Sequence, residues 1–347
     1  MSERGHMFGA GRYIQGAGAI AGCAQEIARL GKKALVIAGK TAWAQVGDAL
    51  TREFSAAGIE PVFYWNDGYC SRNQMGQCAA DVRENACDVI VAVGGGKCMD
   101  LGKAVAADCR LPVATIPTVA ATCAAVTPFS VMYDDMGRPD GAIYHDRPVD
   151  LCFADLDVLA QAPLRTLKAG LIDAMAKLPE LCSYSDTPEE WTVMQEAAVL
   201  LAEYIWKTAD VYCGCIARAE RYEIDRCVEL SIAVTGVCSG GASGTRQLAV
   251  AHAFNSAVRH LNHGVANGYL HGETVGVGIL VQMAFNRQSE AQIEAFRQTL
   301  RALEMPDSVS VFDVSLEQTA RFIAEHMRFD ASSAQAESIL RAVKRFA

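Results

Sequence analysis

The sequence predicts two domains, an α/β domain over residues 1–162 followed by an all-α domain over residues 163–347. Three observations carry this. In the first half, short apolar β runs alternate with helical stretches, the pattern of a doubly wound parallel sheet. After Pro163 the periodic segments are all helical. The length, 347 residues, exceeds what one ordinary core fills. No repeat or low-complexity linker separates the halves, so they are expected to pack closely around a cleft, a common place for a ligand.

Residues 34–38 and 61–64 read as strands. Residues 89–93 are a continuous apolar run ending in glycines, as expected of a central parallel strand, and 111–116 form another run. Helical periodicity marks 20–30 and 99–107 in this half. In the second half it marks 189–207, 219–237, 245–259, 273–285, 290–303, 316–326 and 333–346. Residues 261–267 read as a loop.

Composition excludes several classes. With 51% hydrophobic and 20% charged residues the chain is globular. A net charge of −9 and scattered basic residues argue against nucleic-acid or anionic-membrane partners. No run of 18 apolar residues is present to span a bilayer. The first seven residues lack the apolar core of a secretory signal. Thirteen cysteines, an odd number spread through apolar segments, fit a reducing cytoplasm better than a disulfide framework. Cys213 and Cys215 lack a second pair at zinc-site spacing and read as small helix positions.

Two groups of residues can carry chemistry. Gly94, Gly95, Gly96 and Lys97 follow the strand 89–93 and open a helix containing Asp100. Glycines let a backbone approach a pyrophosphate, and a helix N-terminus offers free N–H groups. The spacing is neither the six-residue dinucleotide fingerprint nor a P-loop, so a plain tight turn stays an equal reading. Thr118 and Ala121, after the next strand, can add hydroxyl and backbone contacts to the same ligand. The second group is Asp173, His252 and His271, each in an apolar helical setting, with the histidines 19 residues apart. Two imidazoles and a carboxylate can hold a divalent metal with a fourth position open. Spacing alone leaves this beside the commoner reading of hydrogen-bonded core histidines.

Four segments together are more specific than any one. They are 9–16, the glycine turn with Asp100, 167–174 around Asp173, and the stretches bearing His252 and His271-Gly272-Glu273. Through them the chain resembles the iron-containing alcohol dehydrogenase superfamily, in its glycerol-dehydrogenase-like branch. Residues 120–131 and 68–71 are similar to the bacterial hydroxycarboxylate dehydrogenases of that branch.

The resemblance implies a Rossmann-like nucleotide domain and an all-α metal-binding domain, the dehydroquinate synthase-like fold. It implies that Asp173, His252 and His271 bind Zn2+, or Fe2+ as in relatives, since the ligand set suits both. It implies that NAD(H) or NADP(H) is held by Gly39, Lys40, Gly94, Gly95, Gly96, Lys97, Asp100, Thr118, Ala121, Thr127, Phe129 and Tyr133. The metal would polarise a small substrate's oxygen while the nicotinamide exchanges a hydride. A homo-oligomer is expected.

Three departures from the family pattern bear on specificity. Cys123 stands where glycerol dehydrogenases resemble one another in having an acidic residue on the polyol. Two unit charges at ~4 Å cost roughly 4 kcal/mol at an effective dielectric near 20, so losing the acid favours a 2-oxo or 2-hydroxy acid over a glycerol-like diol. A space-filling Cys123 is the plainer alternative. Gly39 and Lys40 replace the acid that relatives place on the ribose, which lets a 2′-phosphate in. Asn255 replaces a relay histidine and cannot titrate, so water, His260 or His263 substitutes, or turnover is impaired, as in a non-catalytic member of the fold. Arg147 could bind a substrate carboxylate, with a solvated loop arginine the plainer reading. Lyases of the same fold would carry a Glu at the first ligand position, against Asp173.

Overall fold

The computed structural model describes residues 6–183, 192–242 and 248–347. The chain divides into two compact units, and the division is not a single cut at residue 162. Among the described residues, one unit comprises 6–167 with 224–240, the other those of 168–223 with those of 241–347.

The first unit holds a six-stranded parallel sheet. Its strands are β1 (Arg12–Gly16), β2 (Lys33–Ala38), β3 (Glu60–Trp65), β4 (Val89–Gly94), β5 (Val113–Pro117) and, after the antiparallel hairpin of β6 (Phe129–Tyr133) and β7 (Pro139–Tyr144), β8 (Leu151–Asp155). The order is β1-β8-β5-β4-β2-β3. Helices α1 (Cys23–Ile27), α2 (Lys40–Ala57), α3 (Arg72–Asn85), α4 (Gly96–Cys109) and α5 (Leu156–Leu159) connect these strands or follow them.

Alternation along the strands makes two cores. Ala34, Val36, Val89, Val91 and Phe153 pack with Val46, Leu50 and Phe54 of α2 on one face. Leu35, Ile37 and Ile90 pack with Leu101, Ala104 and Val105 of α4 and Val82 of α3 on the other. Both faces are covered, so the central strands are apolar at nearly every position, which is why 34–38 and 89–93 were readable as strands.

The second unit is helical among its described residues. The chain enters it within α6 (Leu164–Met175) and continues through α7 (Lys177–Leu181) and α8 (Val193–Ala217). It returns to the first unit for α9 (Ile224–Glu229), a π-helical turn (Leu230–Val234) and most of α10 (Thr235–Gly241). Then follow α11 (Val250–Leu261), α12 (His263–Ala266), α13 (His271–Phe285), α14 (Glu290–Ala302), α15 (Leu316–His326) and α16 (Ala334–Arg345). No described helix is long and apolar enough to cross a membrane.

Several elements differ from expectation. The helix expected over 20–30 is only α1, because Gly18 and Gly22 at φ +67° and +81° turn the chain first. The helix expected over 219–237 is broken. Ala219 at φ +52° ends the preceding segment, and within the later one Thr235 Oγ1 donates to Leu230 O at 2.7 Å beside the π turn. The loop expected over 261–267 is largely α12, entered through Asn262, whose side chain accepts from Val265 N. Residues 1–5, 189–191 and 245–247, covered by the expectations for the N-terminus and for two helices, lie outside the described residues. The 13 cysteines are free thiols, and Cys213 and Cys215 sit within α8.

Candidate active site

Asp173 on α6, His252 on α11 and His271 at the first position of α13 come together in the helical unit, with one ligand atom of each within 4.8 Å of the others. Close helix packing makes this possible. A Cβ on Gly272 would lie 1.9 Å from Ala169 O on α6, and one on Gly278 2.4 Å from Ala251 O on α11. Only glycine lets α13 approach both neighbours, and these contacts flank Asp173, His252 and His271. Leu270 N donates to Glu273 Oε2 at 2.8 Å, which fixes the start of α13 and with it His271.

The polar atoms of the triad face one another. Asp173 Oδ1 lies 3.4 Å from His252 Nε2 and 3.2 Å from His271 Nε2. Asp173 is 5% exposed, and Oδ1 is a buried oxygen without a hydrogen bond. The imidazoles are about 30% open to solvent on their side chains. Burial opposes ionisation of Asp173, yet the positive character of His271 and His252 holds it well below the usual carboxylate range. A buried, unpaired carboxylate oxygen between two ring nitrogens, with solvent access on one side, fits a divalent cation of the zinc or ferrous type.

Glu180, on α7 and 2% exposed, was not singled out from the sequence. Its Oε1 accepts from His252 Nδ1 at 2.7 Å and from His252 N at 3.0 Å. With Nδ1 donating to Glu180, Nε2 is the ring nitrogen left on the side of Asp173, where a cation would find it. Burial raises the Glu180 carboxyl, but His252 outweighs it and the group stays ionised. Its only signal in the sequence was a lone acid seven residues after Asp173 in an apolar stretch.

In the sheet unit, α2 leaves β2 toward one face and α4 leaves β4 toward the other. The strands stay paired to Ala38 and Val93, and the chain leaves their carboxyl ends toward opposite faces, the arrangement beside which doubly wound sheets bind nucleotides. Gly94 has φ +142°, and Gly95 caps α4 in extended conformation, so the N–H groups of the first turn open at this end of the sheet. Thr118 N donates to Gly94 O at 3.0 Å and brings the loop carrying Ala121 against the turn. Gly39 caps α2 with an ordinary φ of −80°, and a Cβ there would meet nothing closer than 3.8 Å. A side chain would therefore fit at position 39, where the backbone does not require glycine. Lys40 is exposed beside it.

Asp100 and Thr127 are committed internally. Lys103 Nζ pairs with Asp100 Oδ1 at 2.9 Å and donates to Thr127 Oγ1 at 3.0 Å, to Thr127 O at 3.2 Å and to Phe129 O. This buried ion pair ties α4 to the segment entering β6. Lys97 Nζ stands 3.7 Å over the Tyr69 ring, which neighbours that of Tyr133. Cys123 is buried in the turn closed by Val126 N donating to Cys123 O.

Asn255 Oδ1 accepts from Arg259 Nε at 3.0 Å. His260 lies against Phe322 with the rings tilted, His263 hydrogen-bonds Asn267, and exposed Arg147 pairs with Asp150.

A glycine turn able to approach a phosphate in one unit and three side chains that could hold a metal ion in the other are what a metal-assisted, nucleotide-dependent oxidoreductase would use. Comparison with known proteins agrees. Residues 10–155 match the family model "Iron-containing alcohol dehydrogenase". A glycerol dehydrogenase of Thermotoga maritima is 29% identical, covering 86% of this chain and 82% of its own. An oxidoreductase of Synechocystis sp. is 30% identical (76% and 68% covered), and hydroxycarboxylate dehydrogenase A of Escherichia coli 28% (83% and 79%). The fold matches the crystal structure of a probable glycerol dehydrogenase from Sinorhizobium meliloti with a TM-score of 0.82 over 99% of this chain and 98% of that one, at 24% identity. The chain belongs to the iron-containing alcohol dehydrogenase family.

Proposed function

We propose that this oxidoreductase transfers a hydride between NADP(H) or NAD(H) and a small 2-oxo or 2-hydroxy carboxylic acid. The observation that carries the substrate class is the residue at 123, a thiol where a polyol-binding acid would repel a carboxylate. The relationship to hydroxycarboxylate dehydrogenase A supports it.

A divalent cation held by Asp173, His252 and His271 supplies Lewis acidity toward the substrate oxygen, and the nicotinamide supplies or receives the hydride. The protein's own part is orientation. Glu180 sets the tautomer of His252, Gly272 and Gly278 set the spacing of the ligand helices, and the Gly94–Gly96 turn offers backbone N–H groups to phosphate. Open space at Gly39 beside Lys40 supports acceptance of a 2′-phosphate.

The second reading is a glycerol or other diol dehydrogenase, favoured by the glycerol dehydrogenases among the relatives. A panel of 2-oxo acids, glycerol, other diols and aldehydes, assayed with both cofactors and added zinc or iron, separates the two. The expected result is highest kcat/KM for a 2-oxo acid with NADPH accepted. Glycerol turned over far better than any 2-oxo acid would overturn the substrate class, and a strong NAD preference the cofactor.

A further inference from the structure

We infer that Arg259 is the specificity-determining residue that receives the substrate's carboxylate; the inference rests on the 2-oxo acid reading. His252, Asn255 and Arg259 stand at i, i+3 and i+7 of α11, so they share one helix face. Arg259 is only 8% exposed. Its Nε donates to Asn255 Oδ1 at 3.0 Å and its Nη2 to Tyr269 O at 3.2 Å. Tyr269 lies two residues before His271. The guanidinium therefore bridges the segments that carry the two metal-binding histidines.

Its counterion is missing. Both acceptors are neutral, and among the described residues no carboxylate forms an ion pair with Arg259. The other deeply buried cation, Lys103, has Asp100 at 2.9 Å. A buried charge without a partner is costly, and a guanidinium cannot escape by losing its proton.

The donors suit a carboxylate. Of the guanidinium's five N–H groups two are used, leaving 5 − 2 = 3 on its Nη atoms, and a planar fork matches two carboxylate oxygens. Asn255 takes on a meaning here. It fixes the Nε edge of Arg259, and a protonated histidine in its place would repel the guanidinium.

Zinc-loaded wild type, Arg259→Gln and Arg259→Lys would be compared on pyruvate and on hydroxyacetone, its neutral counterpart. Calorimetry with oxamate, an unreactive carboxylate, and metal content per chain would accompany the kinetics. Arg259→Gln should lower kcat/KM for pyruvate about 100-fold, mainly through KM, and weaken oxamate by a similar factor. Hydroxyacetone should change less than about threefold, metal content should hold, and Arg259→Lys should recover part of the loss. Equal losses on both substrates, or lost metal, would show a strut between histidine segments and overturn the inference, as would unchanged oxamate affinity. A wild type inert toward 2-oxo acids would sink the substrate reading by itself, while the oxamate comparison still decides whether Arg259 binds a carboxylate.

Discussion

At the scale of single residues, the triad depends on a neighbour outside it. Glu180 holds His252 through Nδ1 and through the backbone, so removing its charge frees the ring to choose the wrong tautomer. Glu180→Gln should lower zinc affinity about 10–100-fold, the usual cost of losing such a partner, measured by competition with a chromophoric chelator. Unchanged affinity would show that the ligand histidines orient themselves. Residue type and apolar setting made Asp173, His252 and His271 candidates in the sequence, but spacing alone left them beside ordinary core histidines, and the family resemblance supplied the ligand reading. Glu180 and Arg259 were not candidates, since an acid or arginine in a helix is ordinarily a solvated residue, and only folding shows them 2% and 8% exposed.

At the scale of elements, α13 brings the ligands together by what it lacks. A methyl at position 272 would overlap Ala169 O and push α6, with Asp173, away. Gly272→Ala should destabilise the protein by about 1–3 kcal/mol and reduce bound metal, read by denaturant unfolding and metal analysis; a stable, fully loaded variant would disprove the close-approach argument. Element legibility followed burial. The doubly covered strands β2 and β4 and the amphipathic helix α15 stood out, α15 with the boundaries expected for 316–326. The edge strand β1, the five-residue β8 and the β6–β7 hairpin did not, because mixed polarity over five or six residues has no clear period. The π turn was invisible because it keeps helical composition while shifting phase.

At the scale of the whole molecule, acid sensitivity should be traceable to the sheet unit. His145 is buried and its ring Nε2 meets Ser130 Oγ at 2.9 Å. Burial, then the nearby Lys103 charge, depress its pKa from 6.5 to about 4, against a small opposing pull from Asp146. An unfolded chain takes up this proton near pH 6.5 and the folded one only near pH 4. The contribution is therefore present above pH 6.5 and is lost as pH falls toward 4. Thermal melts should show stability falling over that window, with a shallower fall for His145→Gln; an identical slope would assign the acid sensitivity to other groups.

The path of the chain has a consequence for how the molecule is made. Residues 224–240 belong to the sheet unit, where Asp225 O accepts from Gln15 on β1 and Gly236 abuts Val126. The ribosome thus releases all eight strands well before the segment that completes their unit, with α7 and α8 emerging in between. The half that comes first off the ribosome is therefore complete only once residue 240 has been made, after the first helices of the other unit.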